Sequence, residues 1–287
     1  MKVIVTAFIP DINQNWTKTQ YIEWGKKLLI EVETQTQTQT QTQTQNNKDI
    51  NIIIVLFTTK EIIEYLDDEK SYIDSDNNKK PNNVIFIEFK REDIYLYEYK
   101  DQITNLQIKT DRPEKDTIDY MFLMCHKTEF MRFAIKAVNK IFSLQPQTEF
   151  IWIDFGIYHI FNGDDSKFEQ CIKNLVNSTT HPNQHNKVRI GSIWPADYIP
   201  PYSSPSLYNE KEIYENIAWY FAGGVFGGTF APILQFADLM KKKCIQIIRE
   251  KGTIMWEVNI WRLIYLEHPE LFSLYSCDHN PTLVENY

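Results

Sequence analysis

The sequence predicts an α/β protein in which helices flank a mostly parallel central sheet. Segments with strand and helix patterns alternate through the first half of the chain, and the strand segments are apolar at nearly every position. Strands of that kind are covered on both faces, as in parallel sheets. The chain has 287 residues, of which 43% are hydrophobic, which is enough for a large core. That length suits one α/β domain or two small ones, and we expect a single domain over 1–287.

The first half of the chain contains four predicted strands, over 2–8, 50–57, 83–89 and 150–155. Helical patterns fall between them, over 17–32, from about Thr58, and over 118–142. Thr58 and Glu61 have the spacing of a capping box, which would begin the second helix.

A run of six Thr-Gln dipeptides follows the first predicted helix and continues into a polar segment. The run has no apolar face to bury, so we expect a solvated, disordered insert over 34–48. An insert there is tolerated because loop closure costs little for each added residue. Aggregation through the glutamines is the alternative.

The second half of the chain is less regular. Its predicted elements are a strand over 187–195, a Pro-rich surface segment over 195–206, a strand, tight turn and strand over 219–230, helices over 235–251 and 253–266, and a short strand within 271–280. Gly252 follows the first of these helices, where it can end the helix in the left-handed conformation.

Composition narrows the classes of function. The net charge is −8 and the basic residues form no cluster with aromatic ones, which disfavours a nucleic-acid partner. No segment has the roughly 18–20 apolar residues of a membrane span, and the N-terminal apolar run suits a first strand better than a signal peptide. The four cysteines are scattered without a CxxC pair. We therefore expect a reduced, cytoplasmic chain without a structural metal.

Asp154 lies at the end of the fourth predicted strand, and Gly156 stands two positions later, where it would let the backbone turn. Ligands of parallel sheets bind beyond the carboxyl ends of the strands. Mg²⁺ and Mn²⁺ take carboxylate oxygens, often one or two from the protein and the rest from phosphates and water. We expect Asp154 to hold a divalent cation and to meet the ribose or phosphates of a nucleotide. A helix cap or an Asx turn is the alternative.

Glu257 lies on an apolar helical face. Its neighbours at helical spacing are apolar, namely Ile254, Ile260, Trp261 and Ile264. A carboxylate in that position is either paired with a buried cation or serves in a cleft with a raised pKa.

Two glycine pairs, Gly223-Gly224 and Gly227-Gly228, stand between aromatic residues and would let a backbone approach a ligand closely. A hairpin with a bulge explains them equally well. Their pattern is not the Rossmann fingerprint, and the sequence has neither a serine-hydrolase elbow nor a Walker A motif.

Polar residues near the end of the chain are weaker candidates. Asp278 and His279 follow the last predicted strand and could complete a metal or acceptor site, or they could belong to a surface turn. His181 and His185 lie in an Asn-rich loop without cysteines, which disfavours a zinc site.

Five segments, taken in order, resemble the HtrL/YibB family (also called WlaTC/HtrL), a group of glycosyltransferases. They are VTAFIPDINQNW, FLMCHKTEFMRFAI, FIWIDFGIYH, AWYFAGGVFGGT and EVNIWRLIYLEHPELFSLYSCDHN. The resemblance implies a GT-A-like fold, with a nucleotide-binding half over 1–155 and an acceptor or sugar half over 156–287.

In that superfamily a short acidic motif at a strand end holds a divalent metal, Mn²⁺ or Mg²⁺, on the nucleotide diphosphate. Asp154 matches that position, but Gly156 stands where a second Asp would be, so Asp278 or His279 would have to complete the metal site.

The resemblance also implies residues for the donor. The strand end at Thr6, Ala7 and Phe8, together with Lys127 and Trp152, would contact the nucleotide, and Gly223 and Gly224 would face the donor sugar. Glu257 would contact the sugar or act as the general base if the reaction inverts.

The expected function is transfer of a sugar from a nucleotide-diphosphate sugar, a UDP-sugar above others, to a hydroxyl of a glycan or protein acceptor. A sugar nucleotidyltransferase, a metal-dependent hydrolase of the donor and a catalytically inactive sugar-nucleotide-binding protein are the alternatives. The sequence leaves the donor, the acceptor, the stereochemical outcome and the oligomeric state open.

Overall fold

The computed structural model describes residues 1–12, 16–42, 52–68, 82–106, 110, 112–178, 186–194, 210–217 and 219–287. The strands among them are β1 (Lys2–Phe8), β2 (Ile52–Thr58), β3 (Val84–Glu88), β4 (Glu149–Ile153), β5 (Val188–Ser192), β6 (Phe221–Thr229) and β7 (Phe272–Ser276). They form a seven-stranded sheet in the order β3-β2-β1-β4-β6-β5-β7.

The α-helices of the described residues surround this sheet. They are α1 (Lys18–Thr42), α2 (Lys60–Asp67), α3 (Ile118–Cys125), α4 (Lys127–Ile141), α5 (Asp165–Asn177), α6 (Glu210–Glu215), α7 (Phe230–Lys251), α8 (Glu257–Glu267) and α9 (Thr282–Glu285). Short 3₁₀ helices cover Arg91–Asp93, Tyr95–Gln102, Ile157–Phe161 and Pro269–Leu271.

The sheet is mixed and mostly parallel, which confirms the predicted α/β class. β1 to β4 run parallel to one another, and β7 runs parallel to β5. β6 is antiparallel to both of its neighbours, β4 and β5. The pairing of β4 with β6 carries one continuous sheet across the boundary expected at residue 155.

Each face of the sheet buries its own apolar core, because side chains alternate along a strand. In β1, Val3 and Val5 belong to one core, and Ile4 and Phe8 to the other. Residues of α3, α4, α7 and α8 complete the first core, and residues of α1, α2, α5 and α9 complete the second. The cysteines Cys125, Cys171, Cys244 and Cys277 are buried and free.

Helix α1 is longer than predicted and includes the first nine residues of the expected insert, 34–42. Over 34–42 the chain is therefore helical and not the loop predicted there, and 43–48 lie outside the described residues. Side chains of the repeat bond back one helical turn. Thr34 Oγ1 donates to Ile30 O at 2.9 Å, and Gln35 Nε2 donates to Glu31 Oε1 at 2.6 Å. Such i,i+4 contacts stabilise the helix locally, and they cannot be recognised from the presence or absence of an apolar face.

The predicted strand, turn and strand over 219–230 is also wrong, since β6 is one uninterrupted strand through both glycine pairs. A Cβ at Gly227 would lie 2.5 Å from Phe150 O, so the glycine allows the close pairing of β6 with β4. The glycines here serve strand packing.

Two predicted helix boundaries differ from the structure. Thr58 is the last residue of β2, where its Oγ1 donates to Phe8 O at 2.6 Å, so the predicted capping box does not form. His126 divides the predicted helix over 118–142 into α3 and α4. Gly252 ends α7 with a φ of 60°, as predicted.

The helix predicted to start at Thr253 begins four residues later, at Glu257. The predicted Pro-rich segment over 195–206 lies outside the described residues. Among the helices that the structure describes, none is long and apolar enough to cross a bilayer.

Candidate functional site

A cleft of ≈ 540 Å³ opens at the carboxyl ends of β1 and β4. Ala7 and Phe8 line it from β1, and Trp152 and Asp154 line it from the end of β4. Parallel strands commonly bind ligands at this edge, because their carboxyl ends open onto a crevice between loops. The cleft therefore lies where the order of strands and helices in the sequence placed a ligand.

Asp154 is held at the floor of the cleft by backbone and side-chain contacts. Its backbone N–H donates to Gly224 O of β6 at 3.0 Å. Its Oδ1 accepts a hydrogen bond from Trp152 Nε1 at 2.8 Å and lies 3.0 Å from Lys127 Nζ. The side chain is 37% exposed, and Oδ2 bonds to none of the described residues. One carboxylate oxygen is thus fixed by the protein while the other is open to a ligand.

Lys127 is the buried cation of the site. It begins α4, its side chain is 3% exposed, and its Nζ lies 3.1 Å from Glu257 Oε1. The same Nζ donates to Gly223 O at 3.0 Å. Burial acts to lower the pKa of Lys127, but Asp154 and Glu257 more than offset it and raise the pKa above its ordinary value. The side chain is therefore an ammonium ion at neutral pH.

Glu257 lies behind Lys127, at the first turn of α8. The residue is 3% exposed and is not among the residues that line the cleft. Its pairing with Lys127 realises one of the two alternatives left by the helical pattern, the buried cation. The expected contact of Glu257 with a sugar, and its role as general base, conflict with this burial. Its Oε2 is buried without a hydrogen-bond partner in the described residues, and such a group is costly.

The glycines expected to face the donor sugar instead approach the buried cluster. A Cβ at Gly223 would lie 2.5 Å from Glu257 Oε1, and one at Gly224 would lie 2.9 Å from Leu283 Cδ2. Neither glycine lines the cleft. The Gly223 carbonyl accepts a hydrogen bond from the Lys127 ammonium, and the Gly224 carbonyl accepts one from the Asp154 backbone N–H. The two glycines therefore let β6 pass close to both residues.

The remaining predicted nucleotide contacts divide between the cleft and the core. Ala7, Phe8, Trp152 and Lys127 line the cleft. Thr6 is fully buried outside the cleft lining, and its Oγ1 bonds to no described residue. Because strand residues alternate in direction, a single strand end does not offer three successive side chains to one ligand.

Gly156 follows Asp154 for a reason different from the predicted one. Its φ is −89°, a value open to any residue, so the turn itself does not require glycine. A Cβ there would lie 2.9 Å from Tyr21 Cε1. The residue is small because the ring of Tyr21 in α1 packs against it.

Of the three predicted metal ligands, two line the cleft. His279 lines the cleft, but Asp278 is an exposed residue outside its lining, and Asp278 Oδ1 accepts the backbone N–H of His279 at 2.7 Å. Burial lowers the pKa of the His279 imidazole, which is therefore neutral at pH 7. Within the described ranges, no three His, Cys, Asp or Glu side chains could hold a metal together. His181 and His185 lie outside those ranges.

Two basic residues that sequence reasoning missed, Arg112 and Lys115, also line the cleft. With Lys127 they make three basic residues in the described lining, against one acidic residue, Asp154. The whole chain has a net charge of −8, so this cleft is locally positive on a negative protein. The missed signal was the pair of positive charges in the polar segment before α3.

Aromatic side chains form the rim of the cleft. Trp16 and Trp219 line it while remaining 38% and 41% exposed. The Trp16 ring packs edge-on against Trp24, with centroids 5.3 Å apart, and the ring of Trp219 packs against His279 at 4.5 Å. Exposed, supported rings of this kind suit the face of a planar base or a sugar ring.

No protein-family model matches the chain, and a search of curated proteins gave no match.

Proposed function

We propose that the protein is a glycosyltransferase that moves a sugar from a nucleotide-diphosphate sugar, with a UDP-sugar as the expected donor, to an acceptor hydroxyl of a glycan or protein. One observation carries the proposal. A cleft at the carboxyl ends of parallel strands combines basic side chains with exposed aromatic rings, although the chain as a whole is acidic. A nucleotide-diphosphate sugar has the matching parts, since its phosphates are anionic and its base and sugar present flat faces.

The chemistry follows from the charge that develops during transfer. As the bond between the sugar and the diphosphate breaks, negative charge builds on the leaving diphosphate. Positive charge held in place before the reaction stabilises that state more than the ground state. The basic side chains in the cleft lining are the source of such charge, although the ammonium of Lys127 is already bonded to two carboxylates and to the Gly223 carbonyl.

Asp154 would orient the donor through its open Oδ2. The Trp152 indole and Lys127 occupy the other oxygen, so the carboxylate cannot rotate freely. An oriented acceptor group at the end of β4 can take a hydrogen bond from a ribose hydroxyl, the first of two contacts expected for it.

The second contact expected for Asp154 is with a divalent cation, Mn²⁺ or Mg²⁺. Asp154 Oδ2 supplies one hard oxygen ligand, and His279 on the same cleft is a further candidate ligand. These residues fit a cation that arrives with the diphosphate, in which phosphate oxygens and waters complete the coordination. When bound, such a cation would offset charge on the leaving diphosphate.

One observation favours a second candidate, a sugar-nucleotide-binding protein without catalysis. Among the described residues of the cleft lining, Asp154 is the one carboxylate, and Glu257 is buried behind Lys127. A site with a single available carboxylate can bind a nucleotide sugar without activating an acceptor.

A thermal-unfolding panel with UDP-, GDP- and CMP-sugars, each with and without Mn²⁺, tests the proposal. A specific ligand at 100 times its Kd stabilises a protein by about 2.7 kcal/mol, so one donor class should raise the melting temperature. Free nucleoside diphosphate released on addition of an acceptor mixture would support the transferase, and binding without release would support the second candidate. Pyrophosphate released from a nucleoside triphosphate and a sugar 1-phosphate, in a separate assay, would indicate a nucleotidyltransferase. Cleavage of the donor without any acceptor would indicate a hydrolase.

Asp154→Ala is the matched variant, with the exposed Asp101→Ala as its control. The transferase proposal expects loss of turnover in Asp154→Ala and full turnover in the control. Undiminished transfer by Asp154→Ala would remove the role assigned to this carboxylate.

A further inference from the structure

Arg112 and Lys115 belong to a hydrogen-bonded turn over 112–116, and both line the cleft. The Lys115 backbone N–H donates to Arg112 O at 2.9 Å, and the Asp116 N–H donates to Pro113 O at 3.1 Å. The Asp116 carboxylate accepts the Thr110 N–H at 2.5 Å and the Thr110 hydroxyl at 3.0 Å. These bonds close the turn on itself, so the two basic side chains begin from a fixed backbone.

Within the described residues the two basic side chains of this turn make no salt bridge, although Glu114 and Asp116 belong to the same turn. Lys127, in contrast, has two carboxylates. Lys115 is half-buried against the ring of Tyr120, with Nζ 5.9 Å from the ring centroid. A half-buried ammonium beside a guanidinium is an unfavourable arrangement for the empty protein.

Lys115 lines the same cleft as Asp154 and His279, the two predicted ligand residues found there. Burial lowers the pKa of Lys115, and Arg112 lowers it further, while Asp154 acts in the opposite direction. Arg112 and Lys115 thus face the same cleft as Asp154, at the edge of the sheet where a donor would bind.

We propose that Arg112 and Lys115 form the diphosphate-binding subsite of this cleft. The planar guanidinium of Arg112 suits two phosphate oxygens at once, and the ammonium of Lys115 supplies a compact charge to the second phosphate. The subsite deepens the proposed function, because it names which residues bind the diphosphate of the donor. The subsite would bind the diphosphate and would not contact the base.

Titration calorimetry with uridine, UMP, UDP and inorganic pyrophosphate, all in Mn²⁺ buffer, tests the subsite. Each charged contact is worth about 10- to 100-fold in affinity. The variant Arg112→Ala/Lys115→Ala should weaken UDP and pyrophosphate binding by at least about 100-fold, and it should weaken UMP less. Uridine should bind as it does to the unaltered protein.

Two further variants separate charge from folding. Lys115→Arg keeps the charge, and it should bind UDP within about threefold of the unaltered protein. Lys242→Ala removes an exposed lysine of α7 and should change nothing. Melting temperatures of all variants, measured in the same buffer, report whether each has folded.

The outcomes distinguish the subsite from the proposed function. If the folded double variant binds UDP and pyrophosphate as tightly as the unaltered protein, the subsite is wrong while the transferase proposal stands. If the unaltered protein binds pyrophosphate through these residues but binds no nucleotide, the subsite stands and the proposed function fails. If it binds none of the four probes, the subsite is overturned.

Discussion

Two positive regions of the cleft differ in how their charge is compensated. Lys127 is buried and has Asp154 and Glu257 within about 3 Å, at 3.0 and 3.1 Å. Arg112 and Lys115 stand on a turn at the rim and make no ion pair in the part of the chain that the structure describes. The charge of Lys127 is balanced by two carboxylates of the folded protein, whereas Arg112 and Lys115 have no ion-pair partner among the described residues. Stability and ligand binding should therefore respond to different substitutions.

Lys127→Met should have the largest effect on stability, because it leaves Glu257 buried without its cation. Breaking a buried ion pair by removing one partner costs about 3–5 kcal/mol. Urea denaturation should show that loss in the free energy of unfolding, and Lys242→Met should show none. The double variant Lys127→Met/Glu257→Gln should recover part of it. A loss below about 1 kcal/mol in Lys127→Met would mean that the buried pair is not the stabilised region described here.

The ring of His126, which immediately precedes Lys127, is buried among aromatic side chains. Both ring nitrogens lack a hydrogen bond among the described residues, and burial lowers the pKa of the imidazole to about 3. The unfolded chain takes up a proton near the ordinary pKa of about 6.5. As the pH falls below that value, the unfolded state binds the proton first. His126 therefore subtracts about 1.4 kcal/mol of stability for each pH unit down to about 3.

His126→Phe removes this titration while keeping a ring among the neighbouring aromatic side chains. Between pH 6.5 and 5 the free energy of unfolding of the unaltered protein should fall by about 2 kcal/mol more than that of the variant. Urea denaturation at both pH values measures the difference. Parallel pH profiles for the two proteins would refute the assignment of a neutral, unpartnered imidazole.

Asp154→Ala should have a smaller effect on stability, because the side chain is partly exposed and Lys127 keeps Glu257 as a partner. The expected loss is about 1 kcal/mol, the usual value for one hydrogen bond or a half-exposed ion pair. The functional effect should be large by comparison, as set out for the turnover assay. A stability loss as large as that of Lys127→Met would mean that Asp154 stabilises the buried Lys127–Glu257 pair and does not serve the ligand.

The Lys127 cluster and the turn with Arg112 and Lys115 also differ in how far the sequence predicts them. An apolar run that ends in Asp154 marks a strand end, so its position in the cleft followed from local pattern. The pairing of Lys127 with Glu257 joins residues 130 positions apart, and it depends on how α4 and α8 pack. The pattern around Glu257 indicated a buried partner without identifying it.

Arg112 and Lys115 were missed because no periodic pattern covers their segment, and a short stretch with charges of both signs resembles any solvated loop. The sequence predicts a hairpin where β6 lies, because glycine pairs favour turns locally. Its pairing with β4 and β5 keeps it extended, and that tertiary contact is invisible in the local sequence. Local sequence patterns therefore identified most of the strands but did not identify Arg112 and Lys115 as residues of the cleft.

Arg112→Ala/Lys115→Ala tests the contrast between the two regions in one protein. The substitution removes two uncompensated charges, so the free energy of unfolding should stay within about 0.5 kcal/mol of the unaltered value, while UDP affinity falls by at least about 100-fold. Stability and affinity should be measured on the same preparation. A variant that loses stability but keeps its UDP affinity would contradict the account directly, because the rim charges would then belong to the fold and not to the ligand.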